Sequence, residues 1–122
     1  MELFEGLKAK ISGKDIRVVF PEGSDARIIG AAVRLASDGL CHPILLGNKE
    51  EITRIGSEIG FLVERLEIID PVTYGKKDAM IDALVERRNG KLTKEDAAKW
   101  IENVNYFGTM LTYMDLADAM VS

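Results

Sequence analysis

Between Val18-Val19-Phe20 and the first helical pattern of the chain lies Pro21-Glu22-Gly23-Ser24-Asp25-Ala26-Arg27. A proline, two acids, a glycine, a hydroxyl and an arginine thus sit between an apolar, β-prone run and a helix start. The backbone N–H groups of a helix N-terminus can hold an anion. In an open parallel sheet, ligands bind where strands end and loops begin. Pro21, Glu22, Gly23, Ser24, Asp25 and Arg27 are therefore candidate cleft residues. They also read as an ordinary strand-to-helix turn with a cap, and pattern alone favours the turn. Neither G-x-G-x-x-G nor G-x-x-x-x-G-K-[ST] occurs, so a dinucleotide fingerprint and a Walker loop are both absent.

Arg88 is the second candidate. Ile81, Leu84 and Val85 form an apolar helical face, and Arg88 continues it, seven after Ile81 and four after Leu84. Arg87 falls to the side, nearer the line of Met80 and Ala83. A charge on a buried stripe needs a partner. A guanidinium there could reach into a cleft and hold a phosphate or carboxylate. Equally, it could close the helix C-terminus, favourable with the dipole, with its stem packed and its head in water. The residues leave these two readings level.

Other reactive types offer less. Cys41 and His42 are adjacent, so on a strand they point to opposite faces and do not form a pair. With one histidine in the sequence, no histidine-based metal cluster exists and no metal ligand is assigned. Trp100 and the methionines read as packing, and Lys76-Lys77-Asp78 as a solvated first helical turn.

The elements that must position these residues follow from periodicity and punctuation. Leu3, Phe4, Leu7 and Ile11 suggest a short amphipathic helix across the domain edge. Arg17 to Phe20 is strand one. A helix then opens with Ser24 as N-cap and Asp25 in its first turn, carries Ile28, Ile29, Ala32, Leu35 and Ala36, and closes at Asp38-Gly39. Strand two is Pro43 to Leu46. Asn48 with Glu51 resembles a capping box for a helix whose Ile52, Ile55 and Ile59 face the sheet. Gly60 breaks that helix and Leu66 to Ile69 is strand three. After Asp70-Pro71 a helix runs from about Thr73 to Arg88 and stops at Asn89-Gly90. Thr93 with Asp96 opens another, with Ala97, Ala98 and Ile101 inward. Phe107, Met110, Leu111 and Met114 mark a further helix, and Ala119-Met120-Val121 begins strand four. Strands alternating with helices point to an α/β fold with a parallel sheet.

Composition bounds the function. The chain has 122 residues, suited to one domain, with 47% hydrophobic and 30% charged residues. A net charge of -4 argues against a dominant nucleic-acid surface. One cysteine cannot form an internal disulfide, which favours a reducing, cytoplasmic setting. Met1 to Glu5 lacks the features of a signal peptide. No apolar run has the length to cross a membrane.

Several landmarks then carry a specific resemblance. Val19-Phe20-Pro21-Glu22-Gly23 with Asp25 and Arg27, Pro43-Ile44-Leu45-Leu46-Gly47-Asn48, and Ile69-Asp70-Pro71 with Tyr74 are three of them. Val85-Glu86-Arg87-Arg88 with Gly90-Lys91, Asn105 to Leu111, and Leu116-Ala117-Asp118 continue the series. In register, they resemble the phosphate acetyltransferases (phosphotransacetylases) across nearly the whole chain.

The resemblance implies reversible acetyl transfer between coenzyme A and inorganic phosphate, giving acetyl phosphate, in acetate metabolism. It implies an acyltransferase with coenzyme A as a substrate and no cofactor, usually dimeric. The implied fold is a three-layer α/β/α parallel-sheet domain, here a partial first domain of an isocitrate/isopropylmalate dehydrogenase-like fold. The active site would lie between two such domains. By register, a substrate-binding role for phosphate or coenzyme A falls on Arg88.

Family members are more than twice as long, so residues 1–122 read as the N-terminal part of the transferase domain, truncated and without the second domain. The family's thiolate-forming and transition-state residues lie in the missing part. No catalytic residue is therefore assigned here, and the chain alone is expected to be inactive. Asp115 and Ala119 stand where the family usually has glycine. Asp115, at a helix end, faces the unfavourable end of the dipole and calls for a left-handed backbone. The alternatives are a phosphate butyryltransferase, the transacetylase-like appendage of a malic enzyme, or a non-catalytic binding or interaction module.

Overall fold

The computed structural model describes Glu5, Gly6, residues 16–64 and residues 66–122. The expected amphipathic helix of Leu3, Phe4, Leu7 and Ile11 lies largely outside the described residues. The strands are β1 (Arg17–Phe20), β2 (His42–Leu46), β3 (Glu67–Ile69) and β4 (Ala119–Met120). The helices are α1 (Ala26–Ser37), α2 (Lys49–Glu58), α3 (Lys77–Arg87), α4 (Lys94–Trp100) and α5 (Val104–Tyr113).

The four strands form one parallel sheet in the order β3-β2-β1-β4. Alternation along the strands divides the core. Val18, Phe20 and Leu45 pack with Ile29, Ala32 and Leu35 of α1 and Ile52 of α2 on one face. Val19, Ile44 and Leu46 pack with Met80 and Leu84 of α3, Ala97 of α4 and Phe107, Met110 and Leu111 of α5 on the other. The sheet is thus covered on both sides, as a parallel sheet must be, and the α/β three-layer expectation holds.

Helix starts follow local hydrogen-bond chemistry. Asn48 Oδ1 accepts from the N–H of Glu51 and Thr93 Oγ1 from that of Asp96, as the sequence predicts. The N-cap of α1 is Asp25, not Ser24. Asp25 Oδ1 accepts from the N–H of Arg27, and the N–H of Ile29 donates to the Asp25 carbonyl.

Helix α3 begins at Lys77 rather than near Thr73. Asp70 Oδ1 accepts from Val72 N–H and the Asp70 carbonyl from Thr73 N–H, so those residues form a turn first. Ile59 does not face the sheet. It is the C-cap of α2 and is exposed, while the N–H of Phe61 donates back to Gly56.

β4 is pinned to β1 by one side-chain clasp. Asp118 Oδ2 accepts from Arg17 N–H and Nε, at 2.8 and 3.0 Å, and Oδ1 accepts from Arg17 Nη2 at 3.1 Å. These bonds, the Arg17 side chain foremost, hold the Asp118 carboxyl down to about 2. A depressed folded value gives stability that is present above the ordinary carboxylate range and lost as pH falls through the folded value. The urea midpoints of wild type and Asp118→Asn should therefore differ at about pH 5 and converge between about pH 4 and pH 2. An unchanged gap across that window would show that the clasp contributes nothing.

Just before it, Asp115 has φ 62° and is the left-handed residue that ends α5. The N–H of Leu116 donates to Leu111 across the turn, and Asp115 Oδ1 lies 3.7 Å from the Arg17 guanidinium. A left-handed L-residue costs about 1–2 kcal/mol, so this end of α5 closes under strain. Ala119 pairs with Val18 in the sheet and is partly buried.

Candidate functional site

The chain leaves β1 toward β2 and β3 on one side and returns as β4 on the other. That reversal opens a crevice beyond the C-terminal ends of β1 and β4, the place where doubly wound sheets bind ligands. A cavity of about 310 Å³ lies there, lined by Glu22, Asp25, Arg27, Ile28 and Ser122. Three expected loop residues are thus brought together in the crevice. Ser122 joins them from the end of β4, and local pattern could not signal this because the pairing of β4 with β1 is non-local.

The remaining loop residues build the wall. Pro21 and Gly23 are buried, whereas Ser24 is exposed. Gly23 lies directly on the backbone of Leu46 at the end of β2, where a Cβ would meet the Leu46 amide nitrogen at 2.8 Å. Pro21 lies near Gly108 of α5.

Asp25 is committed to its own helix. Its carboxyl is held below the usual carboxylate range, chiefly by the backbone N–H of Arg27. The helix N-terminus therefore already carries a carboxylate. The cationic group left to meet an anion in the crevice is the exposed Arg27 guanidinium, tied to Asp25 at 3.5 Å.

Arg88 lies elsewhere. It is the C-cap of α3, with its N–H donating to Leu84 and its carbonyl accepting from Lys91. Asn89 and Gly90, at φ 55° and 72°, turn the chain away in the left-handed region. The Arg88 side chain is exposed and its guanidinium lies over the Trp100 ring, 5.2 Å from the centroid. It does not line the β1–β4 cavity. Its neighbour Arg87 rests over Tyr113 at 4.7 Å and lines a second cavity of about 310 Å³ with Thr109, Thr112, Tyr113 and Met120.

A larger cavity of about 500 Å³ opens at the opposite, N-terminal edge of the sheet, beside Cys41, His42 and Glu67. Size does not make it the better site. Burial pushes the Cys41 thiol up to about 11, so it is protonated and unreactive near neutrality. Cys41 is buried and His42 exposed, on opposite sides as expected. Among the described residues, no group of three or more histidine, cysteine, aspartate or glutamate side chains could hold a metal ion. No helix among them is long and apolar enough to cross a membrane.

The sequence model of the family described as phosphate acetyl/butaryl transferase matches residues 2–122. The chain belongs to this family. The phosphate acetyltransferase of Staphylococcus epidermidis is 46% identical over 121 residues, covering 99% of this chain and 37% of the relative. That of Bacillus subtilis is 44% identical, covering 99% and 38%. A phosphotransacetylase structure from Streptococcus pyogenes superposes with a TM-score of 0.88 at 50% identity, covering 99% of this chain and 37% of that one. The EutD phosphotransacetylase from Staphylococcus aureus does so at 0.86 and 40%, with the same coverage.

This chain therefore spans little more than a third of the length of these phosphate acetyl/butaryl transferase relatives. The resemblance read from its landmarks holds from residue 2 to residue 122.

Proposed function

We propose that residues 1–122 are the N-terminal part of an enzyme that transfers an acetyl group reversibly between coenzyme A and inorganic phosphate. In this reading the whole protein removes the coenzyme A thiol proton, and the thiolate attacks the acetyl carbon of acetyl phosphate. Phosphate departs, and positioned donors stabilise the tetrahedral oxyanion.

The share of this chain is binding. Arg88 holds a phosphate or coenzyme A oxyanion, and the Pro21–Arg27 loop lines the cleft. The catalytic groups come from the rest of the protein, so this chain alone is inactive. The enzyme acts as a cytoplasmic homodimer in acetate metabolism and needs no resident cofactor. The observation that carries the reading is the family match over residues 2–122, in relatives named phosphate acetyltransferase.

The test is phosphate-dependent release of thiol from acetyl-CoA. It compares this chain alone with a chimera in which residues 2–122 replace the matching part of the Staphylococcus epidermidis relative. We expect no turnover from the chain alone and turnover from the chimera, lowered about a hundredfold by Arg88→Ala. A folded chimera without turnover would overturn the activity, and one indifferent to Arg88→Ala would overturn the role of Arg88.

A further inference from the structure

We propose that Arg87, presented on the Tyr113 ring beside Thr109, Thr112 and Met120, is a phosphate-binding residue in its own right, separate from Arg88. The inference rests on the proposed function only for the identity of its ligand, and it assigns a residue that lies to the side of the apolar face of α3.

The charge pattern is the first observation. Arg17, Arg27 and Arg54 each have a carboxylate within 4.0 Å. Arg87 and Arg88 have none among the described residues, although the chain carries a net charge of -4. An unneutralised guanidinium in an acidic protein is free to meet an external anion.

Orientation is the second. The guanidinium of Arg87 lies 4.7 Å from the Tyr113 centroid, an arrangement that restrains a long side chain while leaving its edge N–H donors open. A restrained fork loses less freedom when it closes on a phosphate in bidentate fashion. Arg88, one residue on, turns to Trp100 instead, so the two cations serve different places.

Space is the third. A shallow, open groove of about 310 Å³ beside Arg87 leaves the guanidinium accessible to a ligand. The hydroxyls of Thr109 and Thr112 donate to the carbonyls of Asn105 and Gly108, at 2.8 and 3.0 Å. They therefore offer no competing donors, and the phosphate contact falls to Arg87.

The chemistry is that of a phosphate oxyanion, either inorganic phosphate or a phosphate borne on a nucleotide. NMR of the whole chain, observing the Arg87 Nε–H and Tyr113 ring signals, is recorded against inorganic phosphate, ADP, and sodium chloride at equal ionic strength. We expect both phosphates to shift these signals beyond the chloride control, with affinity about tenfold weaker in Arg87→Ala. Arg87→Lys should retain part of the binding, and Arg88→Ala should leave the Arg87 and Tyr113 shifts in place. Tighter binding of ADP supports the site as one for nucleotide-borne phosphate, and equal binding supports free phosphate. Shifts matched by chloride, or affinity unchanged in Arg87→Ala, overturn the site. Neither result touches the chimera test of Arg88, so the two proposals fail separately.

Discussion

Gly23→Ala lowers the stability of the chain by about 3 kcal/mol. The glycine is not needed for a left-handed backbone, since Gly23 is absent from the positive-φ residues. It is needed because the loop after β1 passes flat against the end of β2. An added Cβ would sit 2.8 Å from the Leu46 amide nitrogen and press on the Leu46 carbonyl. Both obstacles are backbone of an interior strand, paired with β1 and β3, so neither can rotate away.

Urea denaturation measures the loss. Gly108→Ala is the matched control, because there the Cβ meets the Met120 sulfur at 2.8 Å, the end of a flexible side chain. Its added crowding is offset by the better helix propensity of alanine, so the net change stays within about 1 kcal/mol. If both variants shift the midpoint equally, the close approach of Gly23 to Leu46 is not what fixes the loop.

Phe107→Ala removes about 3–5 kcal/mol. Phe107 is fully buried on the inner face of α5 and meets Tyr74 edge-on, with centroids 5.2 Å apart and planes at 74°. The substitution deletes the ring from a core shared by β1, β2, α3 and α5. It also removes the partner of Tyr74, in the segment that leads into α3. Against a total of about 5–15 kcal/mol for a domain, the variant approaches its unfolding threshold. A thermal melt with parallel near-ultraviolet dichroism reports both the stability and the loosened Tyr74. A loss below about 1.5 kcal/mol would mean that the cavity collapses and that Phe107 is not a keystone of this face.

The layers of this fold were legible because they rest on short-range rules. The apolar runs at Val18–Phe20 and Ile44–Leu46 announced buried strands, and Asn48 with Glu51 and Thr93 with Asp96 announced helix starts. Where two capping residues stood side by side, local pattern chose Ser24. The structure uses Asp25, because its carbonyl accepts the N–H of Ile29 as the helix opens. The delayed start of α3 turned on a competing Asp70 turn, a choice between two local bonds of similar strength.

The crevice was legible only by half. Its loop was readable, but that Ser122 completes it depends on β4 lying beside β1 rather than β3. The Arg17–Asp118 pair that fixes that neighbour joins residues 101 positions apart, beyond the reach of any local pattern. The same limit applied to Arg87 and Arg88, whose settings are fixed by Tyr113 and Trp100, aromatic residues contributed by other helices.

The strand order β3-β2-β1-β4 also sets a timetable. Of the four described strands, the first to be synthesised is an inner one. Its edge toward β2 is satisfied early, but its other edge waits for Asp118, 101 positions later than Arg17. Until then the carbonyls of Arg17 and Val19, which accept from the N–H groups of Asp118 and Val121, remain bare beside the apolar run Val18 to Phe20, a state open to mispairing. Closing so long a loop is slow, and its entropic cost must be met before any of its contacts form. The arginine that opens β1 and the aspartate that precedes β4 are thus the first and last words of one folding event.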